Sequence, residues 1–213
     1  MAPIKLYGFP ISTAAQRAAA ALYEKDVDFE FVNVNLREKE HLQESFLSIN
    51  PFGQIPALQS GDLTLFESRA ITQYIVHSNP NKGTELLCQG PAMATMSVWM
   101  EVEAHQFNPP SSALAIETFY KPMRGMTVDP EKVKENEAKL CKVLDVYEKR
   151  LSESKYLAGD CFSLADLHHL PNLQVLMNNQ CKSLFEDRPH VHAWVTNILA
   201  RPAWLKAIAL KNQ

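Results

Sequence analysis

The sequence lacks the features that mark secreted, membrane-spanning or nucleic-acid-binding proteins. Its 213 residues include only four cysteines, far apart and without a CxxC or metal-ligand spacing, which predicts free thiols in a reducing compartment. No apolar run reaches the roughly 20 residues that span a bilayer, and the first residues form neither a secretory leader nor a transit segment. The net charge of −3, without a dense basic face, argues against a nucleic-acid partner. We therefore expect a cytosolic protein with no membrane and no nucleic-acid partner.

The two parts of the chain have different periodicities. Up to residue 78, strand-like runs such as IKLYGF and FEFVNVNL alternate with helical runs, and PALQSGDLTLF reads as a hairpin. The resulting order, β-α-β-α-β-β-α, implies a small mixed sheet covered by helices. After the Asn-, Pro- and Gly-containing stretch SNPNKGTELL, apolar residues recur every three or four positions. The predicted fold class is α/β plus all-α, with domains at 1–80 and 91–213 and a linker at 81–90.

Three helix boundaries follow from local signals. The charged stretch from about Glu38 to Ser48 is predicted to be one helix. Ser163 and Asp166 form a capping-box pattern, in which each side chain satisfies a free N–H of the other residue. Pro171 should kink the helix that follows or restart it, because proline has no N–H to donate.

Ser12 follows the first predicted strand, in GFPISTAAQR, where a helix begins. A serine hydroxyl needs a neighbouring base to become a nucleophile, and the nearest histidine, His41, forms no triad motif with it. The hydroxyl is better suited to donate to an anion that a ligand brings, such as a thiolate. Stabilising a thiolate by about 2.7 kcal/mol lowers its pKa from about 8.5 by about two units, and one charge-assisted hydrogen bond contributes roughly 1.5–3 kcal/mol. The local sequence leaves open whether Ser12 is only a helix cap or also takes part in chemistry.

Two other strand–helix corners carry candidate binding groups. In NPFGQIPAL, a cis Ile55–Pro56 bond would expose the main-chain N–H and C=O of Ile55 to an extended peptide, whereas an ordinary trans strand entry is the alternative. In LFESRAITQYI, Ser68 at a helix N-terminus could bind a carboxylate and Glu67 could accept from an ammonium group. A plain N-cap with one acidic neighbour is the alternative there.

Together, GFPIST, NPFGQIPA, LFESRAITQYI and YLAGDCFSLADLHH resemble the phi class of plant glutathione transferases, and the resemblance covers the whole chain. It implies a thioredoxin-like N-terminal domain that binds glutathione, and an all-helical C-terminal domain that completes an apolar pocket. It also implies an enzyme of the serine type, in which glutathione is a co-substrate and no cofactor or metal takes part. A homodimer is implied as well.

The resemblance assigns roles to individual residues. Ser12 would activate the thiol, and His41 would lie near the glycine carboxylate of glutathione. The remaining glutathione-binding positions would be Gln54 and the Ile55 main chain for the cysteinyl part, with Glu67 and Ser68 for the γ-glutamyl end. Leu42 and Gln43 stand where the family has lysines, so we expect weaker glutathione binding.

The acceptor side is defined only by apolar side chains. Such residues more often belong to a core than to a ligand wall, and those expected near the cleft are Phe9, Ile11, Leu114, Phe119 and Met123. His168 and His169 are adjacent, which is the wrong spacing for two ligands of one metal on a helix face. No cysteine is close to Ser12 in sequence, which disfavours redox chemistry through an enzyme thiol.

The predicted activity is conjugation of the glutathione thiolate to apolar electrophiles, with peroxidase activity on organic hydroperoxides, as in detoxification and stress responses. A second hypothesis is a non-catalytic carrier (a ligandin) for flavonoids or other planar metabolites. A third is a structural transferase-like domain in a larger assembly. The Ser12 corner favours the enzyme, whereas Leu42 and Gln43 leave room for the carrier.

Overall fold

The computed structural model describes residues 3–210. Contacts divide the chain into two units, one formed by Met1–Glu85 with Arg201–Gln213 and the other by Leu86–Ala200. The first unit contains a four-stranded sheet in the order β2-β1-β3-β4, in which β1 and β2 are parallel and the other pairs are antiparallel. Its strands are β1 (Ile4–Gly8), β2 (Phe29–Asn33), β3 (Ala57–Ser60) and β4 (Leu63–Phe66).

Small side chains let the first helix of this unit pack closely. Helix α1 (Thr13–Glu24) is rich in alanine, and Ala18, Ala19, Ala20 and Ala21 are all 0% exposed. A Cβ added at Gly8 would lie only 2.8 Å from the Ala15 Cβ, so the strand end and the helix approach to within one methyl group.

The predicted helix between Glu38 and Ser48 is interrupted in the structure. A 3₁₀ turn at Glu40–Leu42 is followed by the separate short helix α2 (Glu44–Leu47). Lys39 has a left-handed backbone, with φ 57° and ψ 31°, and Gln43 between the two segments is extended, with φ −81° and ψ 151°. Neither conformation can continue an α-helix, and the helical periodicity of the stretch does not reveal them.

Helix α3 (Ser68–Ser78) completes the predicted order of the first unit, and Ile71 and Ile75 on it are fully buried. The second unit consists of helices, as predicted. They are α4 (Pro91–Val102), α5 (Asn108–Ala115), α6 (Lys121–Met123), α7 (Pro130–Glu153), α8 (Leu164–Leu167), α9 (Leu170–Met177), α10 (Ser183–Glu186) and α11 (Pro189–Leu199), with a 3₁₀ turn at Gln180–Lys182.

Two π-helical turns, Glu103–Phe107 and Ile116–Tyr120, join α4 to α5 and α5 to α6. Prolines follow within three residues of each turn, at positions 109 and 110 and at position 122. Because proline has no N–H, the carbonyl four residues earlier has no α-helical donor. The i→i+5 bonds of the two turns join the Asn108 N–H to the Glu103 carbonyl and the Lys121 N–H to the Ile116 carbonyl, just before the carbonyls that lack a donor.

Both predictions for residues 163–177 are confirmed. Ser163 and Asp166 form the capping box at the start of α8. Helix α8 ends at Leu167, and α9 begins at Leu170 with Pro171 in its first turn, so the proline restarts the helix.

Helix α12 (Pro202–Ala209) packs against α1 in the first unit, whereas the sequence places it in the predicted helical domain 91–213. The buried Glu24 carboxylate accepts from Arg201 Nε at 2.5 Å and from Arg201 Nη2 at 2.7 Å. Trp204 and Ala207 of α12 are fully buried. The apolar repeat of this helix predicts a buried face but cannot indicate which unit covers it. Within residues 3–210, no helix is long and apolar enough to cross a membrane.

Candidate active site

Strand register brings the three motif loops to one edge of the sheet. Tyr7, near the end of β1, pairs with Ala57 at the start of β3, and Ala57 pairs with Phe66 at the end of β4. The loop to Ser12 leaves β1 at this edge, the Ile55–Pro56 bond enters β3 there, and Glu67 follows β4 there. Segments that are up to 55 positions apart in sequence thus start from neighbouring strand ends.

Ser12 is the N-cap of α1. Its N–H donates to the Phe9 carbonyl at 2.9 Å, and its Oγ accepts from the Ala15 N–H at 3.3 Å. Gln16 Nε2 donates to the Pro10 carbonyl at 2.9 Å and fixes the loop before the cap. The cap bond uses a lone pair of the serine oxygen, and the hydroxyl hydrogen takes no part in it. The cap role is therefore observed, and it is compatible with donation by the same hydroxyl.

The Ile55–Pro56 peptide bond is cis. Asn50 organises the loop before it: its Nδ2 donates to the Gln54 carbonyl at 2.6 Å, and its Oδ1 accepts from the Phe52 N–H at 3.0 Å. Asn50 is 2% exposed, so these bonds are shielded from water. Asn50 is a position without an expectation from the sequence, although the Asn-Pro dipeptide is a known turn signal. The Gln54 side chain is exposed, and Ile55 is half-buried.

Glu67 and Ser68 mark the start of α3, but in a different arrangement from the one expected. Glu67 holds the N-cap position with a left-handed backbone, φ 67° and ψ 107°, and its side chain makes no cap bond. Ser68 is the first residue of the helix rather than its cap, and it is buried at 6% exposure. Ser68 Oγ accepts from Nη1 of the buried Arg17 at 2.9 Å. Sequence reasoning missed Arg17, because 51 positions separate it from Ser68.

His41 lies in the 3₁₀ turn against the loop that precedes the cis bond. A Cβ built at Gly53 would lie 3.0 Å from the His41 carbonyl oxygen and 2.9 Å from Leu42 Cδ2, and Gly53 has φ +60°. The His41 Nδ1 atom is buried and has no hydrogen-bond partner among the described residues. Leu42 is 53% exposed and Gln43 is exposed. After His41, the turn therefore presents an apolar side chain and an amide, Leu42 and Gln43, where the resemblance implies lysines.

The five predicted acceptor residues differ in accessibility. Phe9 and Ile11 are half-buried in the loop that carries Ser12. In the second unit Phe119 and Met123 are exposed, whereas Leu114 is 0% exposed within the core. A fully covered side chain presents no surface to a ligand, so the structure gives no support to Leu114 as an acceptor contact.

Among the described residues, the histidines and cysteines outside these loops have no feature of a binding site. His168 and His169 are fully buried, and His169 pairs through Nδ1 with the Ala165 carbonyl and through Nε2 with the Tyr147 hydroxyl. The four cysteines are free, and burial raises the pKa of Cys181 to about 11, which keeps that thiol protonated at neutral pH.

Comparison with known proteins identifies the family. Residues 2–77 match the N-terminal domain model of glutathione S-transferases, and residues 108–202 match the C-terminal domain model. The chain belongs to the glutathione S-transferase family. A glutathione S-transferase from Hyoscyamus muticus is 57% identical over 210 residues, which cover 98% of this chain and 99% of the relative.

Solved structures of the family share the whole fold. Glutathione transferase F7 from Populus trichocarpa superposes with a TM-score of 0.94 at 47% identity, over 99% of this chain and 100% of that one. Glutathione S-transferase I from maize, in complex with an atrazine glutathione conjugate, has a TM-score of 0.92 at 44% identity, over 99% of each chain. The F class is the phi class, so the predicted class and the predicted thioredoxin-like and all-helical fold are both confirmed.

Proposed function

We propose that this member of the family transfers the glutathione sulfur to apolar electrophiles, with Ser12 as the residue that activates the thiol. The observation that carries the proposal is the convergence of the Ser12, Ile55 and Glu67 loops at one sheet edge. A tripeptide at this edge would meet a hydroxyl donor, the main chain of Ile55 just before β3, and a helix N-terminus. The maize relative bound to an atrazine glutathione conjugate supports a conjugation reaction.

Each part of glutathione has a matching group in this proposal. The Ile55 main chain pairs with the cysteinyl residue as a short added strand, beside the Gln54 side chain. The γ-glutamyl carboxylate docks on Ser68 and on the first N–H groups of α3, where the helix dipole favours an anion. Glu67, exposed beside them, accepts from the γ-glutamyl ammonium group.

The thiol is activated by hydrogen bonding rather than by a protein base in contact with it. Ser12 donates its hydroxyl hydrogen to the sulfur, which stabilises the thiolate over the thiol, and the thiol proton leaves to solvent. The thiolate then attacks an electrophilic carbon of the acceptor, a carbon–sulfur bond forms, and the leaving group departs with its electron pair. Phe9 and Ile11, in the same loop as Ser12, are proposed to contact the apolar acceptor, while Phe119 and Met123 stay predictions from the resemblance.

Glutathione peroxidase activity is proposed as a second reaction of the same thiolate. The sulfur attacks the terminal oxygen of an organic hydroperoxide and breaks the O–O bond, giving an alcohol and glutathione sulfenic acid. A second glutathione then forms the disulfide and releases water. Both reducing equivalents come from glutathione, so the reaction requires no cysteine of the protein.

The glycine end is the weakest part of the proposed glutathione site. The His41 side chain is the proposed partner of the glycine carboxylate. Its buried Nδ1 atom has no hydrogen-bond partner among the described residues. Leu42 and Gln43 carry no charge to attract that carboxylate. We therefore expect a higher KM for glutathione than in the Leu42→Lys variant, with a similar kcat.

The direct test compares Ser12→Ala with Thr13→Ala, which removes the neighbouring hydroxyl. Conjugation of a chlorinated dinitrobenzene at about pH 7 should fall about twentyfold to thirtyfold in Ser12→Ala, because the thiolate fraction returns from a majority to about 3%. Thr13→Ala should retain activity within about twofold. Equal activity of the two variants would refute the role of Ser12.

The carrier hypothesis is tested by a flavonoid titration followed through quenching of intrinsic fluorescence. Binding without turnover of either the dinitrobenzene or cumene hydroperoxide would favour the carrier. The homodimer and the cytosolic location stay proposals. For the dimer, sedimentation showing only a species near the chain mass of 24.0 kDa would contradict it.

A further inference from the structure

Arg17 links the helix that begins at Ser12 to the proposed γ-glutamyl site. It lies in α1 and is 3% exposed, and its Nη1 atom donates to Ser68 Oγ at 2.9 Å. Ser68 is the first residue of α3 and is itself 6% exposed. The contact therefore joins two buried side chains from different helices, immediately beneath an anion-favouring helix end.

The chemistry of the two groups fixes the direction of the bond between them. A guanidinium is an obligatory donor, and a hydroxyl has one hydrogen and two lone pairs. Because Arg17 occupies a lone pair of the serine oxygen, the hydroxyl hydrogen is left to donate elsewhere. A carbonyl or carboxylate in place of Arg17 would instead take that hydrogen and leave Ser68 an acceptor, unsuited to an anion.

A charged donor also strengthens donation by the hydroxyl it contacts. The polarised Ser68 O–H, the first N–H groups of α3 and the guanidinium charge all favour a carboxylate at the same point. The left-handed backbone of Glu67 turns the chain from β4 into this helix end. A carboxylate on the γ-glutamyl end of a ligand matches this arrangement of donors.

We propose that Arg17 is a positioning residue that makes Ser68 a donor to the γ-glutamyl carboxylate, and thereby sets selectivity for glutathione over thiols without a γ-glutamyl group. This inference rests on the proposed function. Activation of the sulfur belongs to Ser12 and not to Arg17.

The test measures kcat and KM for glutathione and for the dipeptide cysteinylglycine, which lacks the γ-glutamyl group. In Arg17→Met, the KM for glutathione should rise about twofold to tenfold, the range expected for one hydrogen bond of ordinary strength. The kcat at saturation and the KM for cysteinylglycine should both stay within about twofold. Arg17→Lys keeps a charged donor and should recover part of the selectivity.

A double variant separates positioning from a structural role. If Arg17 acts through Ser68, then Arg17→Met adds little to the rise in KM in the Ser68→Ala background. Arg201→Met, which removes another largely buried arginine of the first unit, is the matched control. It should lower thermal stability without changing the ratio of the two KM values.

Two results would overturn the inference: an equal rise in KM for both thiols, or full additivity with Ser68→Ala. If Arg17→Met fails to fold, Arg17→Gln, which keeps a polar side chain but removes the charge, is judged by the same ratio and by calorimetric binding of S-methylglutathione, and an unchanged ratio and affinity refute the role. Absence of turnover by the wild-type protein with both thiols would instead refute the proposed function itself.

Discussion

The ion pair between Arg201 and Glu24 should be the strongest single polar contribution to the docking of α12. The Glu24 side chain is 3% exposed and accepts from Arg201 Nε at 2.5 Å, from Arg201 Nη2 at 2.7 Å and from Thr84 Oγ1 at 2.6 Å. Arg201→Met keeps most of the side-chain length but removes both charged donors. Of these three hydrogen-bond donors, the buried Glu24 carboxylate then keeps only the Thr84 hydroxyl.

The expected cost follows from the burial of each partner. Removing one partner of a fully buried ion pair costs about 3–5 kcal/mol, because the other charge stays in a medium of low dielectric constant. The Arg201 side chain is 22% exposed, which lets water reach the vacated position and places the cost at the lower end, about 3 kcal/mol. For a chain of this length, that corresponds to a fall in Tm of about 6–12 °C.

Urea denaturation followed by circular dichroism, together with calorimetry, gives both quantities. Glu135→Ala is the control, because its ion pair with Lys139 is as short, at 2.7 Å, but both side chains are more than half exposed. That variant should lose less than about 0.5 kcal/mol. Glu24→Leu combined with Arg201→Met should recover much of the loss, since no charge is left buried. A loss below about 1 kcal/mol in Arg201→Met would refute the reasoning.

Three further predictions concern backbone strain and buried charge. Gly83→Ala should cost more than about 2 kcal/mol in urea, because its Cβ would lie 2.1 Å from the Glu24 carbonyl oxygen, whereas Gly61→Ala, also left-handed but in open space, should cost about 1 kcal/mol. Burial raises the pKa of Asp166 from 3.8 to about 6, so the stability that this group contributes is complete below pH 3.8 and is lost as the pH rises through about 6. In a pH series of unfolding curves, the free energy of unfolding should fall by about 3 kcal/mol across this range, and Asp166→Asn should abolish that fall. Glu67→Gly should raise the free energy of unfolding by about 1 kcal/mol, because glycine adopts the left-handed backbone without strain. The same variant should raise the KM for glutathione in steady-state assays, and a lower KM would contradict the role proposed for Glu67.

Local chemistry explains why much of the fold could be predicted from the sequence. The alternation of strand and helix patterns, the capping box at Ser163 and the restart at Pro171 each depend on residues a few positions apart. Side-chain periodicity records which face of an element is buried, so the order of the elements and the change to an all-helical second unit can be read directly.

Contacts between distant residues explain what could not be predicted. The Arg17–Ser68 bond joins positions 51 apart, and the Glu24–Arg201 pair joins positions 177 apart. The interruption of the predicted helix at Gln43 reflects an extended backbone with no Gly or Pro to signal it. The burial of Leu114 also could not be predicted, because a leucine in the core and a leucine that faces a ligand look alike in sequence.

The pKa of the bound glutathione thiol is the most direct test of the role proposed for Ser12. It is measured by titrating the ultraviolet absorbance of the thiolate with the wild-type protein and with Ser12→Ala. The wild-type protein should hold the pKa about two units below the free value of about 8.5, and Ser12→Ala should return it close to that value. The same pKa in both proteins would contradict donation from Ser12 to the sulfur.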